Sequence, residues 1–473
     1  MNELPKTIAQ ARQMLTEGKV TSVELAQICL DNINAKNSDL NIYLQVFDDV
    51  LDQATAADTR IAAGESAPLL GVPISIKDNI LYQGHIASSG SQILSNYVAS
   101  YNAHIVNELL TAGAIIIGRV NMDEFAMGSS CEYSAFGPTK NPLDNTRVPG
   151  GSSGGSAASV AANMCVASIG TDTAGSVRLP ASFCGLCGLY PTYGSTSRYG
   201  LIAMGSSLDQ AGPVGNSVSD CETLFTLMST PDELHDAQSV SAENRNPTDA
   251  SVKKIGVPRA LLSMDGVSET VRSNFNQCLD HLRDAGYDIV DIDLPHITAA
   301  VPTYYVIIPA EVSTNLSRMD GVRFGMRVGA ENGLWNMYEE TKTAGFGPEV
   351  QRRMLLGAYV LSAGYYDAYY GKATKVRELI KQEIESVLET VDVILTPTAT
   401  MGAPKLGAMS DPIAMYMMDI FTVPANLSGL PALSVPFGVD SDAENMPLGV
   451  QIMGPRFGEA KLFALGKEIE GLR

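Results

Sequence analysis

Two turns rich in glycine and serine, GGSSGG at 150–155 and TDTAGS at 171–176, place Ser152 and Ser176 on flexible backbone. Such backbone exposes hydroxyls and aims N–H groups at a bound anion. A serine hydroxyl is a weak nucleophile and needs a base as it attacks an amide. Histidine is the usual partner, yet the chain has only five histidines and neither turn contains one. Lysine serves as a base only when neutral, against an unperturbed pKa of about 10.4, and burial lowers that value. Lys77 closes the apolar run LLGVPISI at 69–76, where its ammonium would be desolvated. Its bland alternative is a surface lysine capping a strand and paired with Asp78. The TDTAGS turn ends where a helix is expected near Ser176, so its N–H groups would converge on a developing oxyanion. An ordinary helix N-cap is the competing reading. A phosphate loop is a poor fit, because no GK[ST] follows the glycines.

The surrounding elements must deliver these residues to one place. Residues 6–36 read as two helices, the first stopped by Gly18, the second started by a Thr21-x-x-Glu24 capping box. A third helix covers 48–64. Buried strands are expected over 69–80, 114–121 and 166–172, with helices at 103–112 and 156–164. Further on, 253–258, 287–295, 392–397, 432–438 and 448–454 read as strands. Residues 267–286, 302–319, 349–390 and 457–471 read as helices. Strands that are apolar throughout imply a sheet covered on both faces, hence an α/β fold with a mixed central sheet. Residues 235–250 are polar and predict an exposed insertion. No repeat or linker stands out, which favours one large domain over 1–473, its chemistry concentrated in about 65–215.

Composition narrows the function classes. The formal net charge of −20 argues against a large phosphate-binding face, so any nucleic acid is expected to be held by a partner. Seven cysteines in apolar or small-residue contexts read as reduced, packed thiols of a cytoplasmic protein, the Cys184–Cys187 CxxC included. The N-terminal residues lack the apolar core of a signal peptide, and no run reaches about 18 apolar residues, so no membrane association is expected.

Lys77, GGSSGGS and TDTAGS occur in an order and spacing, with Lys77 and Ser152 lying 99 and 24 residues before Ser176, that resemble the amidase signature family. The resemblance implies Ser176 as nucleophile, Ser152 as a bridging serine after a cis peptide bond, and Lys77 as base. It also implies an oxyanion hole from the N–H groups of Thr173, Ala174, Gly175 and Ser176, with Ser153 bonding locally. The family commonly has glycine where this chain has Ala174, and the methyl group is expected to restrict the backbone and narrow the oxyanion pocket.

Within the family, MDEFAMGSS (122–130), SAFGPTKNP (134–142), residues 191–213, NLSRMDGVRFG (315–325) and residues 349–370 resemble the branch that feeds tRNA-dependent amidotransferases. This implies glutamine as substrate. Its ammonia would pass to a B subunit that uses ATP and Mg to amidate glutamate on tRNA(Gln). That B subunit would make most of the tRNA contacts, and a C subunit would wrap the junction of a heterotrimer. No metal or cofactor is expected in this chain itself. Free glutamine needs a cation for its α-carboxylate and an anion for its α-ammonium. Motif position suggests Arg352, with Arg353 as alternative, and Asp419. Tyr304 or Tyr305 would line the pocket, and Met127 to Ser130, including Ser129, would wall the scissile amide. His85 and His104 are read as packing or surface residues. A stand-alone amidase of small amides and an inactive scaffold protein are the rival readings.

Overall fold

The apolar runs become strands because each is flanked by turn residues and covered on both sides. In the computed structural model, which describes residues 4–245, 249–409 and 412–472, they join one mixed sheet. In chain order the strands are β1 Tyr43–Val46, β2 Pro73–Lys77, β3 Ile115–Val120, β4 Ala167–Asp172, β5 Cys187–Tyr190, β6 Gln210–Gly215, β7 Lys254–Val257, β8 Asp288–Asp291, β9 Val393–Pro397, β10 Ala432–Asp440 and β11 Met446–Met453. Across the sheet they run β1-β3-β2-β4-β6-β5-β10-β11-β9-β7-β8. β3, β2 and β4 are parallel, as are β9, β7 and β8, and antiparallel pairs join the two groups. Every residue of β2, β3 and β4 is buried, so both faces of this part are covered.

The expected N-terminal helices form at Ile8–Thr16 and Ser22–Leu40. Thr21 and Glu24 make the reciprocal capping box. Helix Gly154–Ala161 follows the first serine turn and is built almost wholly of small residues. A Cβ at Gly155 would lie 2.3 Å from the Asn121 carbonyl oxygen, so this helix sits closer to the end of β3 than any side chain would permit. The helical pattern expected over 349–390 splits into Pro348–Val360 and Tyr370–Leu388, with Gly364 at φ 89° between them. β1, β5 and β6 are strands that the sequence reading did not anticipate. Residues 246–248 of the expected polar insertion lie outside the described residues. The rest is mostly exposed but pinned: Arg198 pairs with buried Asp236 at 2.5 Å, and Arg245 donates to the carbonyls of Val240, Ser229 and Ser195. No described helix is long and apolar enough to cross a membrane.

A fully buried ion pair fastens the end of β4 to the C-terminal part of the chain. Arg178 grips both oxygens of Asp172 at 3.0 Å. It also donates to the Thr422 carbonyl at 3.0 Å, Gln451 Oε1 at 2.6 Å and Asn426 Oδ1 at 2.5 Å. Burial alone would raise the Asp172 carboxyl; Arg178 and the Asn426 and Gly175 donors reverse this and hold it below its ordinary value. Removing one member of such a pair strands the other charge in the core. Arg178→Met is therefore expected to cost about 3–5 kcal/mol, read as a lowered urea midpoint.

Candidate active site

β2 ends at Lys77, and the parallel register with β4 sets this end beside Thr171, one residue before β4 ends. The lysine is fully buried. Its Nζ lies 2.8 Å from Ser152 Oγ, 2.8 Å from Ser153 Oγ, 3.0 Å from Thr171 Oγ1 and 3.1 Å from the Thr171 carbonyl oxygen. Ser153 spends its own hydrogen on the Thr171 carbonyl at 3.0 Å, so toward Lys77 it can only accept. Of the two serines, Ser152 is then the one left to offer a proton to the lysine lone pair. The Gly151–Ser152 peptide is cis, as the family resemblance implied.

Asp78 does not pair with Lys77. It takes Arg119 at 2.6 Å and the N–H groups of Ser88 and Gly90 at 3.1 and 2.9 Å. Desolvation pulls the Lys77 amine down to about 7, against the opposing pull of Asp123, Asp172 and Asp209. Each of those three is engaged elsewhere. Asp123 accepts from the N–H groups of Cys131 and Tyr133 at 2.9 and 3.0 Å, Asp172 pairs with Arg178, and Asp209 accepts from Thr173 Oγ1 at 2.7 Å.

The two serine turns meet through the Ser153 N–H, which donates to the Ser176 carbonyl at 3.0 Å. Ser176 keeps 7% of its surface exposed while Ser152 and Lys77 have none, so Ser176 is the most accessible member of the set. Two expectations for the TDTAGS turn are corrected. The Gly175 N–H donates to Asp172 Oδ1 at 2.7 Å, which removes it from the group of oxyanion donors. The left-handed position of the turn is Gly175, at φ 125°, and not Ala174, so the Ala174 methyl forces no backbone strain. A Cβ at Gly175 would fall 2.4 Å from Thr422 Oγ1. That hydroxyl bonds the carbonyls of both Ala174 and Asp419, joining the turn to a second cluster.

The second cluster is an aromatic pocket with opposite charges. Asp419 is buried, and Ser129 Oγ reaches both of its oxygens at 3.1 Å. Tyr305 Oη lies 3.5 Å from Asp419 Oδ2, and its ring stacks on Tyr416 at a centroid distance of 3.6 Å. Burial raises the Asp419 carboxyl to about 7 despite Ser129 and Arg353. Arg353 is buried, lies over the Tyr305 ring at 5.2 Å, and pairs with Glu349 at 2.7 Å.

The helix face separates the two candidate arginines, Arg352 and Arg353. The buried side of Pro348–Val360 comprises Glu349, Val350, Arg353, Gly357 and Val360, while half of the Arg352 side chain is exposed. Tyr304 is buried beside Arg353, whereas Tyr305 makes the contact with Asp419. The three- and four-residue spacing of Val350, Arg353, Gly357 and Val360 is the sequence signal that places Arg353 on the buried side. Thr422 and Tyr416 went unnoticed in the sequence, because nothing local marks a threonine or tyrosine as part of a distant site. His85 packs between Phe47 and Tyr82, and His104 reaches the Thr230 carbonyl at 3.1 Å. Among the described residues, no three His, Cys, Asp or Glu side chains gather as a metal site.

A family model described as Amidase matches residues 24–463. The chain belongs to the amidase family. Among amidase-family relatives, the A subunit of glutamyl-tRNA(Gln) amidotransferase from Desulfatibacillum aliphaticivorans is 45% identical, covering 98% of this chain and 96% of its own. The protein of the same name from Lachnospira eligens is 46% identical, covering 100% and 99%. The crystal structure of the corresponding A subunit from Thermotoga maritima is 40% identical, with a TM-score of 0.79 over 99% of this chain and 96% of that one. Native peptide amidase from Stenotrophomonas maltophilia shares 27% identity, with a TM-score of 0.82 over 98% and 96%. The expected mixed-sheet amidase fold is therefore the one observed, and the chain is an amidase-fold enzyme subunit.

A neutral Lys77 is the form able to accept a proton. Sulfonylation of Ser176 by phenylmethylsulfonyl fluoride, with loss of fluoride, is thus expected to rise as pH passes upward through about 7 and then level off. Lys77→Ala should abolish the reaction at every pH, and a flat profile in the wild type would remove Lys77 as the base.

Proposed function

We propose that this chain is the glutaminase component of a glutamyl-tRNA(Gln) amidotransferase and that it forms one domain built on its continuous sheet. The observation that carries the reading is the buried Arg353 and Asp419 pair, set in tyrosines and tied through Thr422 to the serine turn. Hydrolysis of a simple amide needs no such pair. A free amino acid does, for its carboxylate and its ammonium. The near-full-length relatives named for glutamyl-tRNA(Gln) support the same choice.

In this reading Arg353 holds the α-carboxylate of glutamine and Asp419 holds its α-ammonium, with Tyr304, Tyr305 and Ser129 shaping the pocket. The ammonium draws the Asp419 proton off on binding, because an adjacent cation favours the carboxylate. Ser176 Oγ attacks the side-chain amide carbon while its proton passes to Ser152 Oγ and the Ser152 proton passes to Lys77. The N–H groups of Thr173, Ala174 and Ser176 receive the oxyanion. Collapse breaks the C–N bond, and the relay returns a proton to the departing nitrogen, which leaves as ammonia. Water then loses a proton to the same relay, attacks the acyl carbon and frees Ser176 and glutamate. The ammonia serves a B subunit that uses ATP and Mg to amidate the tRNA-borne glutamate. A C subunit completes a cytoplasmic heterotrimer, and tRNA meets mainly the B subunit.

Glutamine hydrolysis by the chain co-expressed with the B and C subunits tests the assignment. Ser176→Ala is expected to reduce it to background. Arg353→Ala should raise the glutamine KM roughly 100-fold, the loss of a charged bidentate contact, while Arg352→Ala stays within about threefold. Turnover of simple amides but not of glutamine by the wild type would defeat the proposal.

A further inference from the structure

The segment MDEFAMGSS at 122–130 touches three separate parts of the site. Asp123 accepts from the N–H groups of Cys131 and Tyr133, and its own N–H donates to the Ser152 carbonyl at 3.2 Å. Ser129 holds Asp419. Between them Glu124 turns in the opposite direction, and the hydrolytic relay makes no use of it. Its carboxylate is buried, with only 3% of the residue exposed. One oxygen accepts from Ser91 Oγ, and the other accepts from the Gly347 N–H at 2.8 Å.

Gly347 is the N-cap of helix Pro348–Val360, whose buried face carries Glu349 and Arg353. The approach is close enough that a Cβ on Gly347 would meet Glu124 Oε2 at 2.4 Å. Ser91 Oγ also reaches the Gly345 carbonyl at 3.1 Å, and Phe125 meets Phe346 edge-on at 5.7 Å. Residues 345–347 are therefore gripped at three successive points by residues 91, 124 and 125.

We infer that Glu124 is a positioning residue for substrate selection: it fixes the start of helix Pro348–Val360 against the Ser129 wall and so sets how far Arg353 stands from Ser176. This rests on the glutaminase reading above. The distance from cation to nucleophile decides which amide chain length fits, since the α-carboxylate and the side-chain amide of one small molecule must be engaged together. Glu124 does this through the hydrogen bonds its oxygens accept. A carboxamide in its place, as in Glu124→Gln, would keep an acceptor for the Gly347 N–H and would donate to Ser91 Oγ, leaving the Ser91 hydrogen for the Gly345 carbonyl.

The test compares Glu124→Ala and Glu124→Gln in the assembled complex by two measurements. Glutamine kinetics report the clamp, and labelling of Ser176 by phenylmethylsulfonyl fluoride reports the relay without the clamp. Glu124→Ala is expected to raise the glutamine KM about tenfold, with kcat within about threefold and labelling within about twofold of wild type. Glu124→Gln should restore KM to within about threefold. If Glu124→Ala does not assemble, Ser91→Ala replaces it, with an expected KM rise of about threefold and unchanged labelling. An unaltered KM in the alanine variant overturns the inference. So does a parallel fall in labelling and glutamine use, or a Glu124→Gln variant as impaired as the alanine one. A wild-type complex inert toward glutamine overturns the glutaminase reading and this inference together. Normal wild-type turnover combined with any of the other three results overturns the inference alone.

Discussion

Everything in the site depends on keeping Lys77 dry. A buried ammonium without a carboxylate against it gives up its proton far more readily than one in water, and that is what would let an ordinary lysine serve as the proposed base. The fold achieves this by subtraction. Four carboxylates lie close enough in sequence or space to hold the charge, and each is committed elsewhere: Asp78 to Arg119, Asp172 to Arg178, Asp123 to two backbone N–H groups, Asp209 to Thr173. What remains around the amine is hydroxyl and carbonyl oxygen, polar enough to orient it and too weak to keep it ionised.

The same economy explains why Arg178 lies so deep. By neutralising Asp172 it protects the low affinity of Lys77 for protons. By spanning Thr422, Asn426 and Gln451 it also binds the end of β4 to elements more than two hundred residues away. Thr422 then carries that attachment onward, since one hydroxyl touches carbonyls of the oxyanion turn and of Asp419. The serine turn and the charged pocket thus share one joint, and Gly175 is the residue whose missing side chain makes room for it.

Much of this was legible in the chain. The runs at 69–80, 114–121 and 166–172 announce buried strands, and the Lys77, Ser152 and Ser176 spacing carries the resemblance to the amidase signature family. β1, β5 and β6 were not visible. They are four to six residues long, and β5 and β6 carry glycines, with Pro213 inside β6, so neither alternation nor a long apolar run marks them. Arg352 and Arg353 are adjacent in sequence but about 100° apart around a helix, and only the stripe of buried neighbours separates them. The Gly175 N–H was misassigned because the turn's geometry depends on Asp172, whose partner Arg178 has no signature in a window of six residues. The sharing of residues 122–130 among three parts of the site is a tertiary fact with no local trace.

The order of parts along the chain has an evolutionary corollary. The proposed proton relay comes entirely from residues 77–176, on and beside β2 and β4. The charged pocket comes mainly from 304–419, in the stretch of chain that follows the edge strand β8. Change of substrate is then separable from change of chemistry only where the joint is kept. A descendant that alters the pocket-lining helices but retains Thr422, Asn426 and Gln451 keeps the frame around Asp172 and Arg178 and meets a new amide. The 27% identical peptide amidase, with its TM-score of 0.82, shows how far sequences on this one scaffold can diverge while the frame beneath them stays put.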